Sequence, residues 1–417
     1  LVYALHKSGI GVIMDVVYNH TFATADSCFN KTYPKYYYRL WGENGEFFSN
    51  GSGCGNEFAT ERKMARKFIV DSLCYWASEY KIDGFRFDLM GLYDIETLNE
   101  IHKKLKEINP NVILYGEGWT GGDSPLGWGS RAMKLNARNT PGYGFFSDDF
   151  RDTVKGNNFE NKDRGYVNGA SGNEDYVREV ICGRVPHPQI PNLEKYAWTN
   201  DPRQSVNYVE AHDNLTLWDK LYYTNSTDSF EKRIKMDKLA AAMVFLAQGI
   251  PFIQAGQEFL RSKPFPGGTA FDHNSYRSPD AINSLKWDRK SEFKDVVDYY
   301  RGLIAFRKAH SAFRMDKGTD VREHMYFIDK LPQHVVGFVL SGDNEFEEIV
   351  VFFNPNDYPV TLHAFGKYEV YVEGGKAGTQ VLRTVEDDYT VKEISAIVLA
   401  RKRQEPEEEV YDSFGTD

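Results

Sequence analysis

Asp83-Gly84-Phe85-Arg86-Phe87-Asp88 is the stretch on which the fold reading turns. It is a short apolar run closed by a charged residue. The segment before it, about 61–80, carries Ala65, Phe68, Ile69, Leu73 and Trp76 at the spacing of one helix face. Side chains alternate along a strand, so Gly84, Arg86 and Asp88 share one face and Phe85 and Phe87 the other. The same unit recurs along the chain. Apolar strands are predicted at 11–17, 112–116, 144–147, 206–212 and 250–255, and helices near 95–108, 230–248 and 293–310. Continuous apolar strands alternating with amphipathic helices predict a parallel sheet covered by helices.

Six such strands are two short of a closed eight-stranded α/β barrel. Leu1 to Lys7 reads as the tail of a helix stopped by Ser8-Gly9. The expected architecture over residues 1–316 is therefore an α/β fold, a (β/α)8 TIM barrel lacking its first two βα units, with a long loop at 20–59. A doubly wound open sheet competes with it, but no glycine-rich dinucleotide loop is present. Beyond Lys317 the pattern changes to short strands at 325–328, 335–340, 348–353, 368–372 and 395–399. Asn354-Pro355-Asn356-Asp357 and Gly374-Gly375 are turns between them. A small antiparallel β-sandwich is expected over 317–403, followed by an acidic disordered tail at 404–417. A chain that opens inside a helix reads as a piece of a longer one, so a cytoplasmic and a secreted location both stay open.

Composition narrows the partners. The 50 basic and 60 acidic residues give a net charge of -10, against the basic surface that nucleic acid or an anionic membrane requires. No apolar run approaches the roughly 18 residues of a membrane span. Neither partner is expected, and a monomer acting on a neutral ligand is. Aromatic residues make up 15% of the 417, which suits stacking on sugar rings, although composition alone favours a large, well-packed core. Of the four cysteines, Cys28 and Cys54 fall in one loop where they could pair, and Cys74 reads as a buried apolar residue.

In an α/β barrel the reactive groups stand at the carboxyl ends of the strands. Those ends carry Asp15, Asn19 and His20, then Arg86 and Asp88, then Glu117, then His212 and Asp213. An arginine two residues before a carboxylate can hold it ionised, as a glycosyl nucleophile requires, although a plain buried ion pair has the same pattern. Glu117 lies between Gly116 and Gly118, which let a substrate approach the backbone. The neighbouring Trp119 should raise the carboxyl pKa toward that of a general acid. A third carboxylate, Asp213, can bind hydroxyls of a distorted ring, with His20 and His212 hydrogen-bonding the same sugar. There is no H-E-x-x-H or paired-histidine spacing, so no metal is predicted.

Together, Asp15-Val16-Val17-Tyr18-Asn19-His20, Gly84-Phe85-Arg86-Phe87-Asp88, Gly116-Glu117-Gly118-Trp119 and Val209-Glu210-Ala211-His212-Asp213-Asn214 resemble the four signature regions of the α-amylase superfamily, in order. Thr21 to Ser27, Gly51 to Glu57, Asp88-Leu89-Met90-Gly91, Ala255 to Phe259, Asn274-Ser275-Tyr276 and Ser395 to Ala400 resemble the type I pullulanases. The pullulanase signature Y-N-W-G-Y-D-P is absent and would lie upstream of Leu1. The resemblance implies Asp88 as nucleophile, Glu117 as acid/base and Asp213 as transition-state stabiliser. Asp15, His20, Arg86 and His212 would line the subsite of the cleaved ring, with Trp119 and Asn214 from the same motifs. It implies double displacement at α-1,6 bonds of pullulan, amylopectin and related α-glucans, without an organic cofactor. Asn19 matches a calcium-binding position of many α-amylases, so calcium stays open. An isoamylase-type debrancher, an α-1,4-acting amylase or a glucanotransferase would share the three acids. A glucan-binding fragment, inactive alone, is the reading from another class.

Overall fold

The computed structural model describes residues 1–268, 270–363 and 366–403. Six strands form one parallel sheet, with neighbours in chain order: β1 (Ile13–Val16), β4 (Gly84–Phe87), β5 (Ile113–Gly116), β6 (Gly144–Phe146), β7 (Ser205–Asn207) and β8 (Ile250–Pro251). Between β1 and β4 lies a hairpin of β2 (Leu40–Trp41) and β3 (Phe47–Phe48). Phe85, Phe87 and Leu114 are buried on the outer face of the sheet, against the helices Lys63–Glu79 and Ile95–Ile108. The other face carries Asp15, Arg86 and Tyr115 in register.

The strands expected at 206–212 and 250–255 are shorter than their apolar runs suggest. β7 pairs with β8 over two residues only, and the second partner is Pro251, which has no N–H to extend the ladder. Residues 208–213 are therefore a loop. The helix Lys63–Glu79 is turned slightly from the expected stripe. It buries Ala65, Ile69, Val70, Leu73 and Ala77, while Phe68 stays 42% exposed and meets Tyr18 and Phe29 edge-on. The 20–59 segment is built rather than irregular, with a short helix Cys28–Thr32 and the hairpin pinned by buried Arg39. Arg39 bonds Glu57, Glu61 and the Leu92 carbonyl. Cys28 and Cys54 do not pair. Both are exposed free thiols, one opening the short helix and one in the turn after Asn50.

The C-terminal strands form a seven-stranded antiparallel sheet and a two-stranded one. The large sheet runs β14 (Lys376–Ala377), β13 (Tyr368–Glu373), β17 (Ser395–Lys402), β11 (Phe346–Asn354), β10 (Val336–Ser341) and β9 (Met325–Phe327), with β15 (Arg383–Val385) on β13. β12 (Val360–His363) pairs with β16 (Asp388–Val391). Side-chain alternation divides the large sheet cleanly. Ile349, Val351, Phe353 and Val398 pack toward the helices Phe230–Leu246 and Lys294–Ala309. Val350, Phe352, Ile397 and Leu399 pack toward β12 and β16. The tail expected to be disordered, 404–417, lies outside the described residues. Among the described residues no helix is long and apolar enough to cross a membrane.

Gly84 is required by strand packing, since a Cβ there would stand 2.2 Å from the Ile113 carbonyl oxygen. Backbone in a central ladder cannot yield. Gly84→Ala is expected to lower unfolding free energy by about 1–3 kcal/mol, read as a lower urea midpoint at unchanged slope.

Candidate active site

The site begins with sheet register. Asp15, Arg86 and Tyr115 lie side by side on β1, β4 and β5. The ladder continues one step past the strands, with Asp88 N–H donating to the Val16 carbonyl and Glu117 N–H to that of Phe87, each at 3.1 Å. Asp88 and Glu117 thus stand at adjacent strand ends, on the face that carries Arg86. The buried Arg86 guanidinium ties them together. Nη1 donates to Asp15 Oδ1 at 2.9 Å and Asp88 Oδ1 at 3.2 Å, and Nη2 to Glu117 Oε1 at 2.6 Å. Burial works against this cation, but the carboxylates outweigh it and hold its pKa above the ordinary value.

Each acid has a second support. Asn19 Nδ2 donates to Asp88 Oδ2 at 2.8 Å and to the Asp88 carbonyl at 2.7 Å. Asn19 Oδ1 in turn meets His20 Nδ1 at 2.5 Å. Glu117 Oε2 accepts from the Leu89 N–H at 2.9 Å. Burial pushes the Glu117 carboxyl up to about 7. Arg86 and the Leu89 N–H oppose the shift, and Asp88 and Asp213 add to it. The raised pKa expected beside Trp119 is present, with desolvation as its cause.

The protein's own packing requires the two glycines. A Cβ on Gly116 would meet the Phe87 carbonyl at 2.5 Å, and one on Gly118 would meet Lys134 N and the Phe145 ring at 2.7 Å. The missing Cβ at each position makes room for neighbouring backbone and side chains.

Next to these groups opens a cavity of about 710 Å³, and Arg86, Glu117, Trp119, His212, Asp213 and Asn214 are in its wall. Asp15, His20 and Asp88 stand outside that wall, on the β1 side of Arg86. Asp213 and His212 are well exposed, with His212 Nε2 3.5 Å from Asp213 Oδ2. Sequence reasoning missed several lining groups. Phe146 and Tyr208 form an aromatic floor, 5.0 Å apart edge-to-face, and Arg151 donates to the Tyr208 hydroxyl at 2.9 Å. Buried Glu210 and Lys155 line the same wall, where burial pushes the carboxyl pKa up and the ammonium pKa down. The strand parity of Phe146 and the Ser147 cap of the helix Asp148–Lys155 were signals that could have found two of them. Asn19, matched to a calcium position, is committed here to Asp88. Among the described residues no group of three or more His, Cys, Asp or Glu is arranged to hold a metal ion.

Comparison with known proteins meets this geometry. No family model matches the chain. The chain is 40% identical to the pullulanase of Bacillus subtilis (strain 168) over 379 residues, 87% of this chain and 50% of that one. It superposes on the pullulanase structure from Bacillus acidopullulyticus with a TM-score of 0.88 at 40% identity, covering 96% of this chain and 47% of the other. The chain belongs to the pullulanase family, within the α-amylase superfamily. A pullulanase from Paenibacillus barengoltzii, solved with maltohexaose and α-cyclodextrin, matches with a TM-score of 0.85 at 41% identity, over 96% of this chain and 60% of that one. The chain thus spans about half the length, or less, of the curated pullulanases it matches. The parallel sheet with its antiparallel neighbour fits the amylase-type fold of these structures.

The Glu117 shift carries a stability consequence. Its folded pKa, about 7, lies above the ordinary 4.5. Below pH 4.5 both states are protonated and nothing is lost. As pH rises toward 7 the unfolded chain releases its proton first, so the folded state loses stability, and above 7 the full loss is felt. Relative to Glu117→Gln, the parent should lose up to about 3 kcal/mol across that window, read from urea unfolding at stepped pH.

Proposed function

We propose that this chain carries the reactive groups of a retaining α-glucan hydrolase that opens α-1,6 bonds by double displacement. The observation that carries the reading is the single guanidinium holding both Asp88 and Glu117. Two carboxylates on one planar group suit the spacing of about 5–5.5 Å found in retaining glycosidases better than the roughly 6.5–9.5 Å of inverting ones. Glu117, protonated up to about pH 7, gives its proton to the glycosidic oxygen. Asp88, oriented by Arg86 and Asn19, attacks the anomeric carbon and forms a glycosyl ester. Glu117 then takes a proton from water, which releases the sugar with its α configuration. Asp213 and His212, with Trp119 and Asn214, contact the ring from the cavity side, and Asp15 and His20 from the other. None of these steps uses an organic cofactor.

The six parallel strands read as strands three to eight of a (β/α)8 barrel over 1–316, with 317–403 as the C-terminal β-sandwich. α-Glucan oligosaccharides are the proposed ligands, supported by the maltohexaose and α-cyclodextrin bound to the Paenibacillus relative. A second reading, glucan binding without turnover by this chain alone, is favoured by the outer strands of the sheet. Ile13 on β1, Val17 just after it and Ile250 on β8 are 37%, 50% and 38% exposed.

Pullulan separates the two readings. Hydrolysis to maltotriose is expected, lost by roughly 10³-fold or more in Asp88→Asn, with a 10²- to 10⁴-fold loss in Glu117→Gln. Maltotriose binding by calorimetry with no release of sugar from pullulan would select the second reading. Full hydrolysis by Asp88→Asn would exclude the first.

A further inference from the structure

We infer that Lys263 is a positioning residue, clasping the backbone of the 212–214 turn so that Asp213 and His212 stay aimed into the cavity. The inference rests on the hydrolase reading for its activity arm alone. Asp213 and His212 need such a device. Their side chains are 59% and 58% exposed, and their 3.5 Å contact with each other is the one polar contact either makes among the described residues. With more than half of each side chain in solvent, their direction must come largely from the main chain.

The main chain there is unusual. Asn214 is left-handed, with φ +64°, a conformation that persists in a non-glycine residue only when the surroundings impose it. The imposing group is an ammonium. Lys263 is fully buried, and its Nζ donates to the Asn214 carbonyl at 2.7 Å, the His212 carbonyl at 3.3 Å and Ser275 Oγ at 3.2 Å. That uses all three of its hydrogens. Two of the acceptors bracket Asp213.

Lys263 is itself immobilised. Its N–H donates to Asp219 Oδ2 at 2.9 Å and its carbonyl accepts from Asp272 N–H at 2.8 Å. Asp219 and the nearby Glu210 supply negative charge against the buried cation. The turn is held from its other sides as well, by Asn158 Nδ2 on Asn214 Oδ1 at 2.5 Å and Lys155 Nζ on the Leu215 carbonyl at 3.4 Å. Lys263 is the group that touches the carbonyls on both sides of Asp213. A methionine would fill the space of its stem and take the donor from three acceptors, one of them buried and two part-buried.

The test is Lys263→Met, with amide hydrogen exchange followed by mass spectrometry and pullulan kinetics on the same samples. Exchange in 212–217 is expected to rise about tenfold or more while the parallel strands keep their protection. In the same variant kcat should fall about tenfold or more with KM changed less than about threefold, because an interaction made chiefly in the transition state is lost. Unchanged exchange at 212–217, or a rise spread evenly over the chain, overturns the inference. So does an unaltered kcat in a folded variant whose parent is active. If the parent does not cleave pullulan, the hydrolase reading fails by itself and the exchange arm decides the role of Lys263. If Lys263→Met does not fold, Ser275→Ala removes one acceptor and keeps the charge. A rise of about threefold in the same segment then supports the role, and none overturns it.

Discussion

One buried guanidinium, that of Arg86, bonds Asp15, Asp88 and Glu117 at once, and the geometry of the site depends on it. Three carboxyl groups around one cation would leave a surplus of negative charge in a desolvated place. Like charges at such distances do not all stay ionised, and the most buried of the three gives way first. That group is Glu117, 9% exposed at its side chain against 26% for Asp88 and 52% for Asp15. Burial thus keeps a proton on the acid suited to donate it, against the pull of the guanidinium that holds both acids.

Holding side chains in place has required strained backbone at two points. Leu89, which follows Asp88, has φ +38°, and Asn214, which follows Asp213, has φ +64°. Neither is glycine, and a bulky leucine is poorly suited to the left-handed region. In both places the turn delivers a hydrogen bond. The Leu89 N–H reaches Glu117, and the Asn214 carbonyl reaches Lys263. Backbone strain of order 1–3 kcal/mol per residue persists where neighbours over-determine the conformation, as at functional sites.

The order of the six parallel strands was legible because each is a short apolar run with a polar end, and the residues chosen for chemistry were those polar ends. Arg86, Glu117, Trp119, His212, Asp213 and Asn214 do meet at one cavity, with Asp15, His20 and Asp88 beside it. What escaped has a common character. The helices Asp148–Lys155, Glu174–Ile181 and Leu217–Thr224 have only eight residues each, about two turns, too few for a helical period to stand out. β12 and β16 are four residues long and mix polar with apolar side chains. Lys155 and Lys263 act by donating to acceptors distant in sequence. Such bonds leave no period to read. The glycines around Glu117 were legible, but not the neighbouring backbone and side chains that their missing Cβ atoms accommodate.

The account stands on Asp88 and Glu117 being close enough for direct attack on the anomeric carbon, with no water between carboxylate and sugar. The configuration of the first sugar released reports this directly. Proton NMR during the opening minutes of pullulan cleavage, before mutarotation scrambles the anomers, should show the α-anomer of the new reducing end appearing first. First appearance of the β-anomer would mean a single displacement by water, a wider separation of the acids, and an Arg86 that does not hold them as described.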